Sequence, residues 1–132
     1  MDAGLNMTGK PAPARPTPVE ISRPDTILLV FSQAPDEACA RRIADALVGE
    51  RLAACVNILP GVQSVYRWQG EVETASEVGL VIKTSTSRFA EMASRLQALH
   101  PYELPEIVAL RPDAALPAYA SWVIAETRKP LV

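Results

Sequence analysis

One stretch sets the terms for the whole chain: Arg51 to Thr84, RLAACVNILPGVQSVYRWQGEVETASEVGLVIKT. It reads as two extended runs meeting at Trp68-Gln69-Gly70-Glu71. Gly70 supplies the positive φ that a two-residue hairpin turn demands, with Gln an unusual partner for it. Each arm is far longer than the usual strand of about 5–6 residues. Near the tip stand Tyr66, Arg67, Trp68, Glu71 and Glu73. A hairpin of this length in a small domain projects beyond its own core. A lone two-stranded ribbon is marginally stable and leaves strand edges unpaired. Another copy of the same chain is the simplest cover.

The 132 residues allow one domain. The formal net charge of −2 argues against a nucleic-acid module, which would show a basic face. No apolar run approaches the ~18–20 residues of a membrane span, and the N-terminus lacks the apolar core of a secretory signal. The expectation is a cytoplasmic protein with no membrane partner. Cys39 falls in a helical pattern and Cys55 in an apolar strand run. Both read as buried thiols, with a disulfide or metal pair as the rival reading.

Taken in order, residues 1–24 hold five of the twelve prolines and little apolar content, and read as a disordered leader. Residues 25–132 form the folded domain. Thr26 to Ser32 is a continuous apolar run, the mark of a central strand. Pro35 suits the first position of a helix, Asp36 and Glu37 its first turn, and Gly49 its stop. Cys39, Ile43, Ala46 and Leu47 mark the inner face of that helix. A second strand is expected over Leu52–Leu59, with Pro60-Gly61 as a bend or bulge before the pattern resumes at Val62. After the turn, Glu71 to Thr84 returns, polar first and apolar later. Ser85, Thr86 and Ser87 offer caps for a second helix, whose stripe is Phe89, Met92, Leu96 and Leu99. His100-Pro101 ends it. Glu106–Leu110 reads as a fourth strand, and Ala118–Thr127 as a last helix with Tyr119, Trp122 and Val123 inward.

The order β-α-β-β-α-β plus a terminal helix predicts an α+β, ferredoxin-like sandwich with both main helices on one face. Yet Ile27-Leu28-Leu29-Val30 and Leu80-Val81-Ile82 are apolar on both sides. The uncovered face again calls for a partner.

The APDE opening of the first helix, the run RLAACVNILPGVQSVYRWQGEVE, the VIKT strand, HPYELPEIVAL and the final YASWV together resemble the CutA proteins, the divalent-cation tolerance family. The resemblance spans Ile27 to about Ala125. It implies a tight homotrimer, similar in architecture to the PII signalling proteins, in which long hairpins extend neighbouring sheets. It also implies a response to metal ions, with copper described as a ligand of some members and no agreed catalytic reaction. Some members proposed to bind copper carry Cys where this chain has Ser32, and a His pair where it has Leu99-His100. The thiolate and one imidazole, the ligands copper prefers, are thus absent.

His100 is the only histidine. It reads as a helix-end hydrogen-bonding group or as one metal ligand. Glu71, Glu73 and Glu77 share one strand face, either as a charged ribbon face or as oxygen ligands for a hard cation. Tyr66, Trp68, Tyr102 and Trp122 read as anchors at a subunit contact, or as the lining of a small-molecule cleft together with Lys83, Glu103 and Glu106. Lys83 calls for a carboxylate partner, with Glu106 the candidate. Two functions follow: a non-enzymatic sensor or adaptor binding a small molecule or divalent cation between subunits, and a small enzyme using Lys83, Glu103, Glu106 and Tyr102. No nucleophile elbow, phosphate loop or CxxC zinc pattern is present.

Overall fold

The computed structural model describes residues 24–130. The expected leader lies outside the described residues, Pro24 excepted. The element order is β1 (Ile27–Ala34), α1 (Glu37–Gly49), β2 (Cys55–Trp68), β3 (Glu71–Ser85), α2 (Phe89–Leu99), β4 (Val108–Leu110) and α3 (Pro117–Glu126). The four strands form one sheet in the order β2-β3-β1-β4, with every pairing antiparallel. This is the ferredoxin-like sandwich expected from the sequence.

Alternation along the strands divides the sheet into two faces. Leu28, Val30, Leu80 and Ile82 turn to one side and are buried with Cys39, Ile43 and Leu47 of α1 and Met92 and Leu96 of α2. Leu29, Phe31, Val81 and Lys83 turn to the other side and are only half-buried. Val108 and Leu110 are 50% and 52% exposed there. Helices α1 and α2 seal one apolar face; α3 covers only the Ile27–Ser85 end of the other, through Val123 and the Thr127–Ser85 bond, and the rest stays open.

The ribbon is as long as expected. Trp68 pairs with Glu71, and the two turn residues Gln69 and Gly70 have φ of 50° and 84°. Positive φ at both positions is the type I′ pattern, whose twist matches that of the strands. The register shifts between Leu59 and Val62, where Leu59 faces Gly79 and Val62 faces Glu77. Strand β2 therefore carries one extra residue, with Gly61 at φ 77°. The bulge has a consequence for the side chains. Before it, odd-numbered residues of β2 share the open face; after it, even-numbered ones do. Tyr66 and Trp68 thereby stand opposite Glu73 and Glu71 on the open side.

Several boundaries differ from expectation, each for a physical reason. Asp36, not Pro35, opens α1: its carboxylate accepts from Cys39 N–H at 2.8 Å, so it is the N-cap. Gly49 ends the helix, but the left-handed residue is Arg51, at φ 60°. The chain then folds back, with the N–H groups of Leu52 and Ala53 both bonded to Leu47 O. This wrap delays β2 to Cys55. The hydroxyls before α2 cap no helix. Ser87 and Thr86 bond the Asp25 carboxylate, and Ser85 accepts from Thr127. The N-cap of α2 is Arg88, without a side-chain cap. Strand β4 is only Val108–Leu110 rather than Glu106–Leu110. On α3 only Val123 points inward, while Tyr119 and Trp122 are 38% and 44% exposed with ring centroids 5.7 Å apart. Cys55 lies half-buried on the open face rather than in the core.

The turn gives a clean test. No atom lies within 4 Å of a Cβ added at Gly70, so Gly70→Ala costs only the left-handed backbone penalty, ~1–2 kcal/mol. Gln69→Asn, better suited to positive φ, should raise stability by a few tenths. Urea midpoints of the two variants should move in opposite directions.

Candidate functional site

A cleft of about 860 Å³ lies on the open side, where the ribbon leaves the sheet. The ribbon contributes Tyr66, Arg67 and Trp68, β3 contributes Glu77, and β1 contributes Gln33. The segment after α2 closes it with Pro101 to Leu104 and Glu106. Two prolines, Pro101 and Pro105, keep that segment out of regular structure.

His100 holds two walls of this cleft together. It is 7% exposed, and its Nε2 lies 2.6 Å from Gln33 O. Its Nδ1 accepts from Tyr102 N–H at 3.1 Å. A carbonyl on one side and an N–H on the other fix the Nε2–H tautomer. The ring also lies 4.6 Å from the Tyr102 ring. Tyr102 in turn donates its hydroxyl to Glu77 at 2.7 Å. Partial burial, and then the bond to the Glu77 carboxylate, push the Tyr102 phenol well above its usual range. The chain Gln33–His100–Tyr102–Glu77 thus ties β1 and β3 to the end of α2. Gly79 makes room beside it: a Cβ there would meet Val62 Cγ2 at 3.3 Å and Gln33 Oε1 at 3.5 Å.

Of the seven residues expected around a ligand cleft, Tyr66, Trp68, Tyr102, Glu103 and Glu106 line this one. Lys83 and Trp122 lie elsewhere. Lys83 pairs across the sheet with Leu29 and Cys55, about four residues along β1 from the Gln33 end. Its ammonium donates to the Asn57 carboxamide and lies 3.8 Å from Cys55 Sγ. The expected Lys83–Glu106 pair is not made, because the short β4 leaves Glu106 beyond the sheet. A lysine beside paired carboxylates, the feature that favoured an enzyme, is thus not assembled in the chain.

The three candidate metal ligands are not brought together either. Both ring nitrogens of His100 are engaged within the fold. Glu71 lies eight residues along β3 from Gly79, the partner of Gln33, which at ~3.3 Å per residue is roughly 25 Å. Among the described residues no three His, Cys, Asp or Glu side chains are grouped to hold a metal ion. Ser32, the position at which the resemblance places a cysteine in some members, faces the helices, and its Oγ is buried without a partner. These residues do not fit a preformed copper centre in one chain.

The sequence reading missed Gln33. The residue stands in the cleft wall, with its Oε1 buried beside Gly79 and without a hydrogen-bond partner. The only signal was a polar residue ending an apolar central strand.

The fold and this cleft define a ferredoxin-like α+β protein with an open sheet face and a projecting ribbon. The profile of the CutA1 divalent ion tolerance protein family matches residues 28–126, and the chain belongs to that family. The divalent-cation tolerance protein CutA of Thermus thermophilus is 52% identical over 95 residues, 72% of this chain and 92% of the relative. A solved structure of a Thermus thermophilus divalent cation tolerance protein superposes with a TM-score of 0.76 at 49% identity, covering 77% of this chain and 99% of that one. The CutA crystal structure from Xylella fastidiosa gives 0.76 at 47% identity, with 77% and 98% covered. No helix among the described residues is long and apolar enough to cross a membrane.

The Tyr102–Glu77 bond predicts a pH dependence. A phenol whose folded pKa is raised contributes stability that is full below its unfolded value of about 10 and lost as pH rises through the folded value. In Glu77→Gln, spectrophotometric titration should show one of the three tyrosines shifting down toward that ordinary value. His100→Ala should lower stability by about 1–3 kcal/mol, as Gln33 O and Tyr102 N–H lose a buried partner, which denaturant unfolding would read.

Proposed function

We propose that this CutA-family protein acts as a homotrimeric, non-enzymatic sensor or adaptor in the cytoplasm. Its cleft would become a small-ligand site between subunits. One observation carries the reading: the apolar sheet face and the ribbon are built to be covered, and the cleft lies where they meet. Leu59 at 44%, Trp68 at 36%, Val108 at 50% and Leu110 at 52% exposure form the uncovered surface. Strand β1 ends opposite Val78, so Glu71 to Glu77 of β3 pair only with β2. Neighbouring copies that add to this ribbon would satisfy its edge and cover the apolar face together. The resemblance to the PII signalling architecture supports a signalling role rather than a structural one. Cys39 and Cys55 are free thiols, the state a reducing compartment maintains.

The link to divalent cations rests on the family description. We read copper or another divalent cation as a ligand met by groups from different subunits, since the described residues of one chain group no three metal ligands. Glu71 and Glu73, exposed on the ribbon, are the oxygen donors available for such a contact.

Sedimentation should give a trimer. Trp68→Ala, or a proline placed within Val62 to Trp68, should dissociate it at concentrations where the strand–helix core still shows native circular dichroism. A monomeric variant with full thermal stability would sink the reading. Calorimetric titration with Cu²⁺ and other divalent cations checks the metal part. We expect heat at micromolar metal that Glu71→Gln with Glu73→Gln abolishes and His100→Asn does not. No heat, and no shift in unfolding temperature, would remove cations from the proposal.

A further inference from the structure

The two free cysteines stand in opposite surroundings. Cys39 is 2% exposed in the core, and burial pushes its thiol up. Cys55 lies half-buried on the open face, directly opposite Lys83 in the β2–β3 ladder. The Lys83 Nζ is 3.8 Å from Cys55 Sγ. Asn57, two residues on and on the same face, bridges the pair. Its Oδ1 accepts from Lys83, and its Nδ2 lies 3.9 Å from the sulfur. Lys83 enters no ion pair among the described residues. A thiol that solvent reaches and an amine without a carboxylate partner are thus held side by side. The ladder fixes their spacing, since directly opposed side chains start only about 4.5–5.5 Å apart at Cβ.

The geometry points to a redox crosslink: peroxide oxidises Cys55, and the Lys83 amine then closes on the sulfur as a sulfenamide. The inference stands apart from the reading of the cleft and needs only this pair and a peroxide. In the first step the sulfur attacks one peroxide oxygen. An S–O bond forms and the O–O bond breaks. The departing hydroxide takes a proton from the Lys83 ammonium and leaves as water, while the thiol proton passes to solvent. Sulfur loses two electrons and the peroxide gains them. Cys55 is now a sulfenic acid, a species that condenses with a nitrogen. Lys83 is now a neutral amine, and its lone pair attacks the sulfur. The S–N bond forms, the S–O bond breaks, and the hydroxide leaves as water with a second proton from the nitrogen. One peroxide is consumed in all. The link removes a positive charge from the open face and ties β2 to β3 covalently. A thiol reductant cleaves it and returns both side chains.

The intact chain is treated with hydrogen peroxide at neutral pH, its remaining thiols are blocked with iodoacetamide, and tryptic peptides are read by mass spectrometry. Cleavage after Lys83 should be lost. Peptide 52–67 should appear joined to 68–88, two hydrogens lighter than the sum of the two. Dithiothreitol before the blocking step should restore the separate peptides. Lys83→Arg should abolish the joined product and let Cys55 run on to the sulfinic acid. Cys55→Ser should abolish it too, while Cys39 stays a free thiol throughout. The same treatment of Trp68→Ala reads the pair where the contact between copies is weakened. If Cys55 in both proteins oxidises just as it does in Lys83→Arg, or pairs with another cysteine, the crosslink is overturned. A Cys55 that stays unoxidised in both would overturn it equally.

Discussion

Eight residues of β1, Ile27 to Ala34, lie against eight of β3, Ser85 back to Val78, and this central ladder fixes nearly everything else. Because side chains alternate, the register settles which residues meet the helices and which face outward. Leu28, Val30, Leu80 and Ile82 fall on the sealed side and form the core with α1 and α2. Leu29, Phe31, Val81 and Lys83 fall on the other side. The apolar pattern leaves the sheet no alternative polar face, so one surface stays unsatisfied in a single chain. A one-residue slip would exchange two apolar sets. The register is held instead by specific bonds, such as Thr84 Oγ1 to Leu52 O at 2.7 Å and the Asp25 knot to Thr86 and Ser87.

The ribbon depends on the same ladder through β3, which runs unbroken from Glu71 to Ser85. Its face assignment therefore extends to the tip, where Glu71 and Glu73 share the side of Val81 and Lys83. Strand β2 reaches that side only because of the extra residue between Leu59 and Val62. Pro60 has no N–H to give to the ladder, and Gly61 takes the positive φ that the irregularity needs. Without that residue, Tyr66 and Trp68 would point away from Gln33, Glu77 and the Tyr102 segment. The bulge is what turns an overlong hairpin into one wall of a cleft.

Much of this was legible in the sequence. Hydrophobic runs gave the strands, helical stripes gave α1 and α2, and Gln69-Gly70 gave the turn. Local signals failed where tertiary partners competed for the same groups. Ser85, Thr86 and Ser87 resemble caps, but Asp25 and Thr127 bring distant partners to them. Leu52 and Ala53 resemble the start of a strand, but Leu47 O captures their N–H groups. Tyr119 and Trp122 resemble core residues, yet a helix of ten residues with only Val123 buried cannot cover the open face. Lys83 was expected to seek a carboxylate, but the nearest groups across the ladder are Cys55 and Asn57. For Ser85, Thr86, Ser87 and Lys83 the residue type was read correctly and the partner lay far along the chain.

The site shows the same division. The aromatic and acidic residues of the cleft could be singled out because such residues are few and unusual on an extended ribbon. Their assembly could not, because it runs through a histidine that looks like a ligand and behaves as a tie. A metal ligand needs a ring nitrogen with a lone pair aimed at open space. In His100 one nitrogen meets Gln33 O and the other receives Tyr102 N–H, so neither is available without opening the fold. That engagement lets Pro101 break the helix while Tyr102 still returns over β3 to reach Glu77. The cleft is therefore joined to the central ladder by side-chain bonds, not by strand pairing. Its outer wall is a ribbon that one chain does not cover. Anything that clamps the ribbon, whether a neighbouring copy or a ligand between Trp68 and Glu106, acts on a wall whose opposite side is already fixed.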